Sequence, residues 1–215
     1  MKIFNHRLSA ASNTNAEYII YQRLNIVLTI MLKFLRQILQ LLISPSKGWE
    51  DVSATGTPPA EITRKGFYPL LGVLAATSLI RLAYHDIGYS LVDALQNAIV
   101  SFTIYFVTLF IASYCFSMFM PTIGGKANSV NKNSSFIIFC LGTLALINLV
   151  ANLIPVDLVL LKILPAYVAF IMFKATIYLD ILPDKIGQFM FLSVFSIGVP
   201  PFLLSSLFKL LMPEA

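Results

Sequence analysis

Charge is scarce in this chain. Only 12% of its 215 residues are Asp, Glu, Lys or Arg, where a soluble domain carries about a quarter. A water-exposed fold of this size is therefore excluded. Cysteine and histidine are scarcer still, two of each. Cys115 and Cys140 fall inside apolar stretches with no histidine or second thiol at ligand spacing, which points to inert fillers and not to a disulfide or a metal centre. A Gly-rich phosphate loop, an HExxH helix and a GxSxG elbow are all missing, and His85-Asp86 stands without a nucleophile or a third ligand. The expectation is a protein that is not an enzyme and holds no cofactor or metal. The segment after Met1 lacks a compact apolar run followed by a small-residue cleavage site, so no cleavable leader is expected.

What the chain does have is apolar length. Hydrophobic residues make up 58% of it, and the mean hydropathy is +0.82. Five nearly uncharged stretches follow one another, at 67–84, 98–120, 136–154, 158–179 and 188–208. A hydrocarbon core of roughly 30 Å needs about 20 helical residues. Each stretch therefore reads as a transmembrane helix, and the fold class is all-α, a polytopic membrane bundle.

Three segments are expected along the chain. Residues 1–30 read as a disordered or non-native extension, since they lack periodicity and Met31 opens a second plausible start. Residues 31–66 read as a cytoplasmic amphipathic helix and a linker. Lys33, Arg36, Gln37 and Gln40 share one face of a helix over 31–43, and Leu32, Leu35, Ile38, Leu39, Leu42 and Ile43 cover the rest. This pattern suits a helix lying on a membrane or packed against the bundle. A sixth span over 19–43 is disfavoured by Arg23, Lys33 and Arg36. Residues 67–212 form the five-helix domain.

The net charge of +5 does not indicate nucleic acid. Twelve of the fifteen Lys and Arg residues fall on one side of the membrane if the N-terminus is cytoplasmic, and Arg81, Lys162 and Lys209 fall on the other. The positive-inside rule then gives a cytoplasmic N-terminus and an external C-terminus.

Polar residues at membrane depth are costly and are read as functional until placed. Asn148 and Asn152 share one face at i, i+4 and suit bonding to another helix. Lys174 either snorkels or lines a cavity. Gly198-Val199-Pro200-Pro201 predicts a kink or break in the last span. Gly72/Ala76 and Ser113/Ser117 give small-residue spacing for close helix approach. Trp49, the only tryptophan, is expected at a membrane-proximal position where an amphipathic ring is favoured.

Four short motifs in order resemble the Yip1 family. Ser44-Pro45-Ser46-Lys47-Gly48-Trp49-Glu50-Asp51-Val52 is similar to the Pro-x-x-x-Trp-x-x-Ile segment of its bacterial members. Met120-Pro121-Thr122-Ile123-Gly124-Gly125-Lys126 resembles its Pro-x-Phe-Gly-Gly-Lys loop, with Ile123 in the Phe position. Ile154-Pro155 resembles the close of its third span, and Leu179 to Lys185 the stretch before its last helix, with Asp180 and Ile181 departing from the pattern. The resemblance covers residues 31–212 and implies five spans with a cytosolic N-terminus. Eukaryotic members act in vesicle trafficking with Rab GTPases. Their long N-terminal region and Asp-Leu-Tyr-Gly-Pro motif do not occur here, which implies a prokaryotic plasma-membrane member.

Two functions follow as expectations. The first is a non-catalytic scaffold or membrane organiser in the lipid bilayer, binding other membrane proteins, further copies of itself or lipids. It would use Trp49, Pro121, Gly124, Gly125, Lys126, Pro183 and Lys185. The alternative is a small transporter or channel, with Asn148, Asn152 and Lys174 along a polar path between spans three, four and five.

Overall fold

The computed structural model describes residues 22, 25–80, 90–154 and 159–212. Among these the chain is helical, with no strand beyond one isolated antiparallel bridge between Gly124 and Ile181. The helices are α1 (Asn25–Ile43), α2 (Pro45–Thr55), α3 (Pro59–Ile62), α4 (Tyr68–Ile80), α5 (Leu91–Ile123), α6 (Val130–Leu153), α7 (Val159–Tyr178), α8 (Ile186–Ser193) and α9 (Val199–Leu211).

Four helical stretches are long and apolar enough to cross a membrane: Asn25–Ile43, Leu91–Ile123, Val130–Leu153 and Pro183–Leu211. The last three coincide with expected spans. The expected fourth span is the shorter apolar helix Ile163–Tyr178. The expected first span is represented by α4, of 13 residues, and its far end lies outside the described residues, as do Arg81 and His85-Asp86. Residues 1–21, most of the expected extension, also lie outside.

α6 is the central helix, with an almost unbroken buried run from Ser135 to Ala145. Apolar side chains leave this run in every direction and no polar face remains, as suits a helix enclosed on all sides. α4, α5 and α7 pack around it, and α5 also carries α8 and α9. The polar side chains of these helices are largely satisfied locally. Thr108, Thr143 and Ser196 donate to the carbonyls of Ile104, Phe139 and Leu192 in their own helices, at 2.7, 2.8 and 2.7 Å. Such back-bonding removes the cost of a hydroxyl at depth without needing a partner helix.

The 31–66 segment belongs to the same core. Phe34, Ile38, Leu41, Trp49, Val52 and Ile62 are buried together with residues of α4 to α8. α1 and α2 form a tight hairpin around Ser44-Pro45, and a Cβ on Gly48 would stand 2.9 Å from the Leu41 Cα. The hairpin is closed by Gln37, whose Nε2 donates to Thr55 Oγ1 at 3.1 Å. Phe34 slots between Gly66 and Gly142, where an added Cβ would meet its ring at 2.9 and 2.8 Å. Close approach thus uses Gly48, Gly66 and Gly142. Gly72, whose Cβ would meet open space, and Ser113 and Ser117, both exposed, are not the contact points the spacing suggested.

α1 consequently shows three faces. Phe34, Ile38 and Leu41 enter the core, while Lys33 and Arg36 lie exposed on a polar stripe beside Gln37. Leu28, Leu32, Leu39 and Ile43 form a third face that is exposed and apolar.

The prolines are absorbed without breaking their helices. Pro69 and Pro200 are each preceded by a wide π turn, Thr63–Phe67 and Val194–Gly198. These close through Tyr68 N–H to Thr63 O and Val199 N–H to Val194 O. A proline ring collides with the carbonyl four residues back in an α-helix, and the extra residue of the π turn moves that carbonyl aside. Where a kink or break is expected at Pro200, the chain shows no break: the helical run is continuous through α8, the π turn and α9.

Candidate functional site

Two of the motifs, Met120–Lys126 and Leu179–Lys185, meet at one end of the bundle. α5 ends where Gly124 takes an extended conformation, with its N–H still bonded to Met120 O. α7 ends two residues before Asp180, which adopts the left-handed conformation at φ 53°. Aspartate tolerates this region better than most side chains, because its short carboxylate can bond locally. Both chain ends are then extended side by side. Gly125 N–H donates to Asp180 O at 2.6 Å and Leu182 N–H to Ile123 O at 3.3 Å.

Side chains lock the junction. Asp180 Oδ2 accepts from Ala127 N–H at 2.8 Å, and Asn128 Nδ2 donates to Leu179 O at 2.7 Å. Asn128 and Asn133 exchange a reciprocal amide pair at 3.0 and 3.1 Å. Gly125 is required by contact: a Cβ there would lie 2.5 Å from Asp180 Oδ2 and 3.0 Å from Asp180 O. Gly124 is similar, with Asn128 2.8 Å from the position of its Cβ.

Of the residues expected at this face, Gly124, Gly125 and Lys126 form one side of the junction and Pro183 and Lys185 follow the other. Lys126 is exposed in the turn, and Pro183 opens the short 3-10 turn Pro183–Lys185. Pro121 lies exposed in the last turn of α5, lining a hollow of about 200 Å³ with Ser117, Asn128, Ser129 and Asn133.

Trp49 differs from its expected place at the lipid interface. It is only 2% exposed, because α2 folds back against α7 and carries the ring into the core. Its indole N–H donates to Ile171 O at 3.0 Å, and the ring stacks on Tyr178 with centroids 5.2 Å apart. The Lys132 ammonium sits 5.9 Å from the Tyr178 centroid and donates to Ala127 O at 2.9 Å. Trp49 therefore supports the junction from beneath, through Tyr178 and Lys132. Asn128, Lys132, Asn133, Tyr178 and Asp180 are members of this site that sequence reasoning did not single out.

The intramembrane polar residues separate. Asn152 donates to Thr77 Oγ1 on α4 at 3.2 Å, a helix-to-helix bond of the expected kind. Lys174 lies 5.3 Å from the Phe170 centroid and 5.9 Å from that of Phe173, on the outer face of α7. Its ammonium is partly screened by two ring faces. Asn148 alone lines a cavity, of about 260 Å³, with Ser101, Tyr105, Pro165, Pro201 and Ser205. The three residues are not brought together on one path. Among the described residues no group of three or more His, Cys, Asp or Glu could hold a metal ion.

Among the described residues the fold is all-α, built around a central helix, and its long apolar helices are consistent with the class of membrane proteins. No family model, no curated protein and no solved structure matches the chain.

Proposed function

We propose that this chain is a non-catalytic membrane scaffold of the Yip1-like plan, presenting the 124–128 and 180–185 junction to a membrane-protein partner or to acidic lipid headgroups. The observation that carries the reading is the construction of the junction. Four backbone and side-chain bonds join segments more than fifty residues apart, yet the Lys126 side chain is left exposed. A turn serving only to connect α5 to α6 has no need of a second chain segment. A rigid loop with a projecting ammonium is suited to docking, since the loop is already ordered before a partner arrives.

In this reading the junction is cytoplasmic, with the N-terminus, and the membrane is a prokaryotic plasma membrane. The faces of α1 support an interfacial placement for that helix: its exposed apolar face meets lipid while Lys33 and Arg36 reach water. Five spans then follow it.

The test is affinity capture in mild detergent together with binding to vesicles containing phosphatidylglycerol, comparing wild type with Lys126→Glu. Loss of a captured partner or of vesicle binding is the expected result. Unchanged capture and unchanged vesicle binding would remove the proposal.

The transporter reading retains one specific observation, the cavity beside Asn148. Asn152 and Lys174 point it no further, being engaged with Thr77 and with two phenylalanine rings.

A further inference from the structure

A hollow of two adjoining parts lies beside α6, among α5, α7 and α9, and its polarity is zoned. Two adjoining cavities, of about 260 and 300 Å³, share Leu144, Pro165 and Phe202. One end is lined by Ser101, Tyr105, Asn148 and Ser205. The other is lined by Val168, Ala169, Met172, Val194, Gly198 and Val199, without a polar side chain.

The hollow exists for local reasons. Pro165 of α7 and Pro201 of α9 face the first cavity, and the π turn Val194–Gly198 leads into α9, which packs on α5. Ala166, Ala169 and Gly198 are too small to fill the space that remains. At the polar end, Tyr105 donates to Leu144 O at 3.2 Å. The Ser101 and Ser205 hydroxyls, both on part-exposed residues, line this end beside Asn148.

At 1.5 Å per residue, Asn148 lies about 27 Å along α6 from Val130 and about 8 Å short of Leu153. Met172 lies about 9 Å from the Tyr178 end of α7, on the side of the Gly124–Gly125 junction. The polar end therefore stands near the membrane boundary opposite the junction, and the apolar end reaches the bilayer centre and beyond it. An occupant that hydrogen-bonds near one boundary and is purely apolar further in is an amphiphile lying along the membrane normal.

We propose that this hollow is a lipid-binding site. It takes one acyl chain of a phospholipid from the leaflet opposite the junction, with Ser101, Asn148 and Ser205 toward the ester region and Ala169, Met172 and Val199 along the chain. The site is independent of the scaffold reading, whose residues lie at the other end of the bundle.

The experiment reconstitutes the full chain in nanodiscs of phosphatidylethanolamine and phosphatidylglycerol doped with a phospholipid bearing a diazirine on its acyl chain. Irradiation is followed by mass-spectrometric mapping of the adducts. Adducts on residues 165–172 and 194–202 should exceed those on the lipid-facing Phe110–Tyr114 surface several-fold. Ala169→Phe and Val199→Phe, on opposite walls, should each reduce the cavity adducts at least five-fold while leaving the Phe110–Tyr114 adducts unchanged. Trp49 emission reports whether each variant is folded, and either variant suffices if the other is not. Adducts no denser in the cavity than on the open surface, or insensitive to a folded filling variant, overturn the proposal. So does rapid labelling of Ala169→Cys, at the apolar end, by a membrane-impermeant thiol reagent in a Cys115→Ser background, which would identify an aqueous path.

Discussion

Replacing Gly125 by alanine tests the junction with the smallest possible change. The added methyl carbon would meet Asp180 Oδ2 at 2.5 Å, Asp180 Cγ at 2.9 Å and Asp180 O at 3.0 Å. Two of these belong to backbone-fixed or hydrogen-bonded groups, so the methyl cannot be accommodated by a freely swinging side chain. Separation of the two segments would loosen Gly125 N–H to Asp180 O at 2.6 Å and Ala127 N–H to Asp180 Oδ2 at 2.8 Å. A neutral bond contributes about 1 kcal/mol net and one to an ionised group about 1.5–3 kcal/mol, so Gly125→Ala should destabilise by about 2–4 kcal/mol. The assay is reversible denaturation in mild detergent followed by the emission of Trp49, the only indole, which stacks on Tyr178 below the junction. Asp180→Gly should cost less in the Gly125→Ala background than in wild type, because it removes the carboxylate that the methyl strikes. The two changes are coupled through contact and should be non-additive. A Gly125→Ala variant within about 0.5 kcal/mol of wild type, the range of an ordinary surface substitution, would refute the argument that the junction needs glycine there.

Three further outcomes follow from the packing. Trp49→Phe removes the bond to Ile171 O and should cost about 1 kcal/mol, whereas Trp49→Ala should cost about 3–5 kcal/mol; circular dichroism melts of both variants check the order. Gly142→Leu overfills the slot occupied by Phe34 and Ile38, should destabilise by about 1–3 kcal/mol, and should make the 25–43 segment a preferred site of limited proteolysis. An unchanged digestion pattern would contradict the docking of α1 on α6. Lys174→Leu should leave membrane insertion intact and change stability by no more than about 1 kcal/mol, since the ammonium contacts only two partly exposed rings.

The apolar stretches made most of the long helices readable from composition, but their ends depended on polar details. Apolarity alone starts the second expected span at Ala98, whereas α5 begins at Leu91. There Ser90 Oγ accepts from Asp93 N–H and Asp93 Oδ2 accepts from Ser90 N–H, a capping box. That Ser-x-x-Asp signal was present in the sequence. The glycine loop was legible as a motif, and so was the stretch from Leu179 to Lys185. Their pairing was not, because nothing local in either segment specifies a partner more than fifty residues away. Trp49 failed for the same reason. A tryptophan near a membrane segment suits the interface on general grounds, and only the return of α2 onto α7 takes the ring to Ile171 O. Asn148, Asn152 and Lys174 stand out in the sequence as polar residues within apolar stretches. Which neighbour each would meet is a question of helix rotation, which composition leaves open.

The π turns before Pro69 and Pro200 bear on how such a chain can change in length. Removing one residue from an ordinary α-helix rotates everything beyond the gap by about 100° and shifts it by about 1.5 Å, so that buried faces turn outward. A π turn already holds one residue more than an α turn. Deletion within Thr63–Phe67 or Val194–Gly198 would convert that surplus into a normal turn and leave both flanking helices facing their present neighbours, provided that Pro69 or Pro200 is replaced as well, since its ring would otherwise meet the carbonyl four residues back. These two windows are places where a chain of this architecture can gain or lose a single residue inside a packed helix, and a shorter version of it would differ there first.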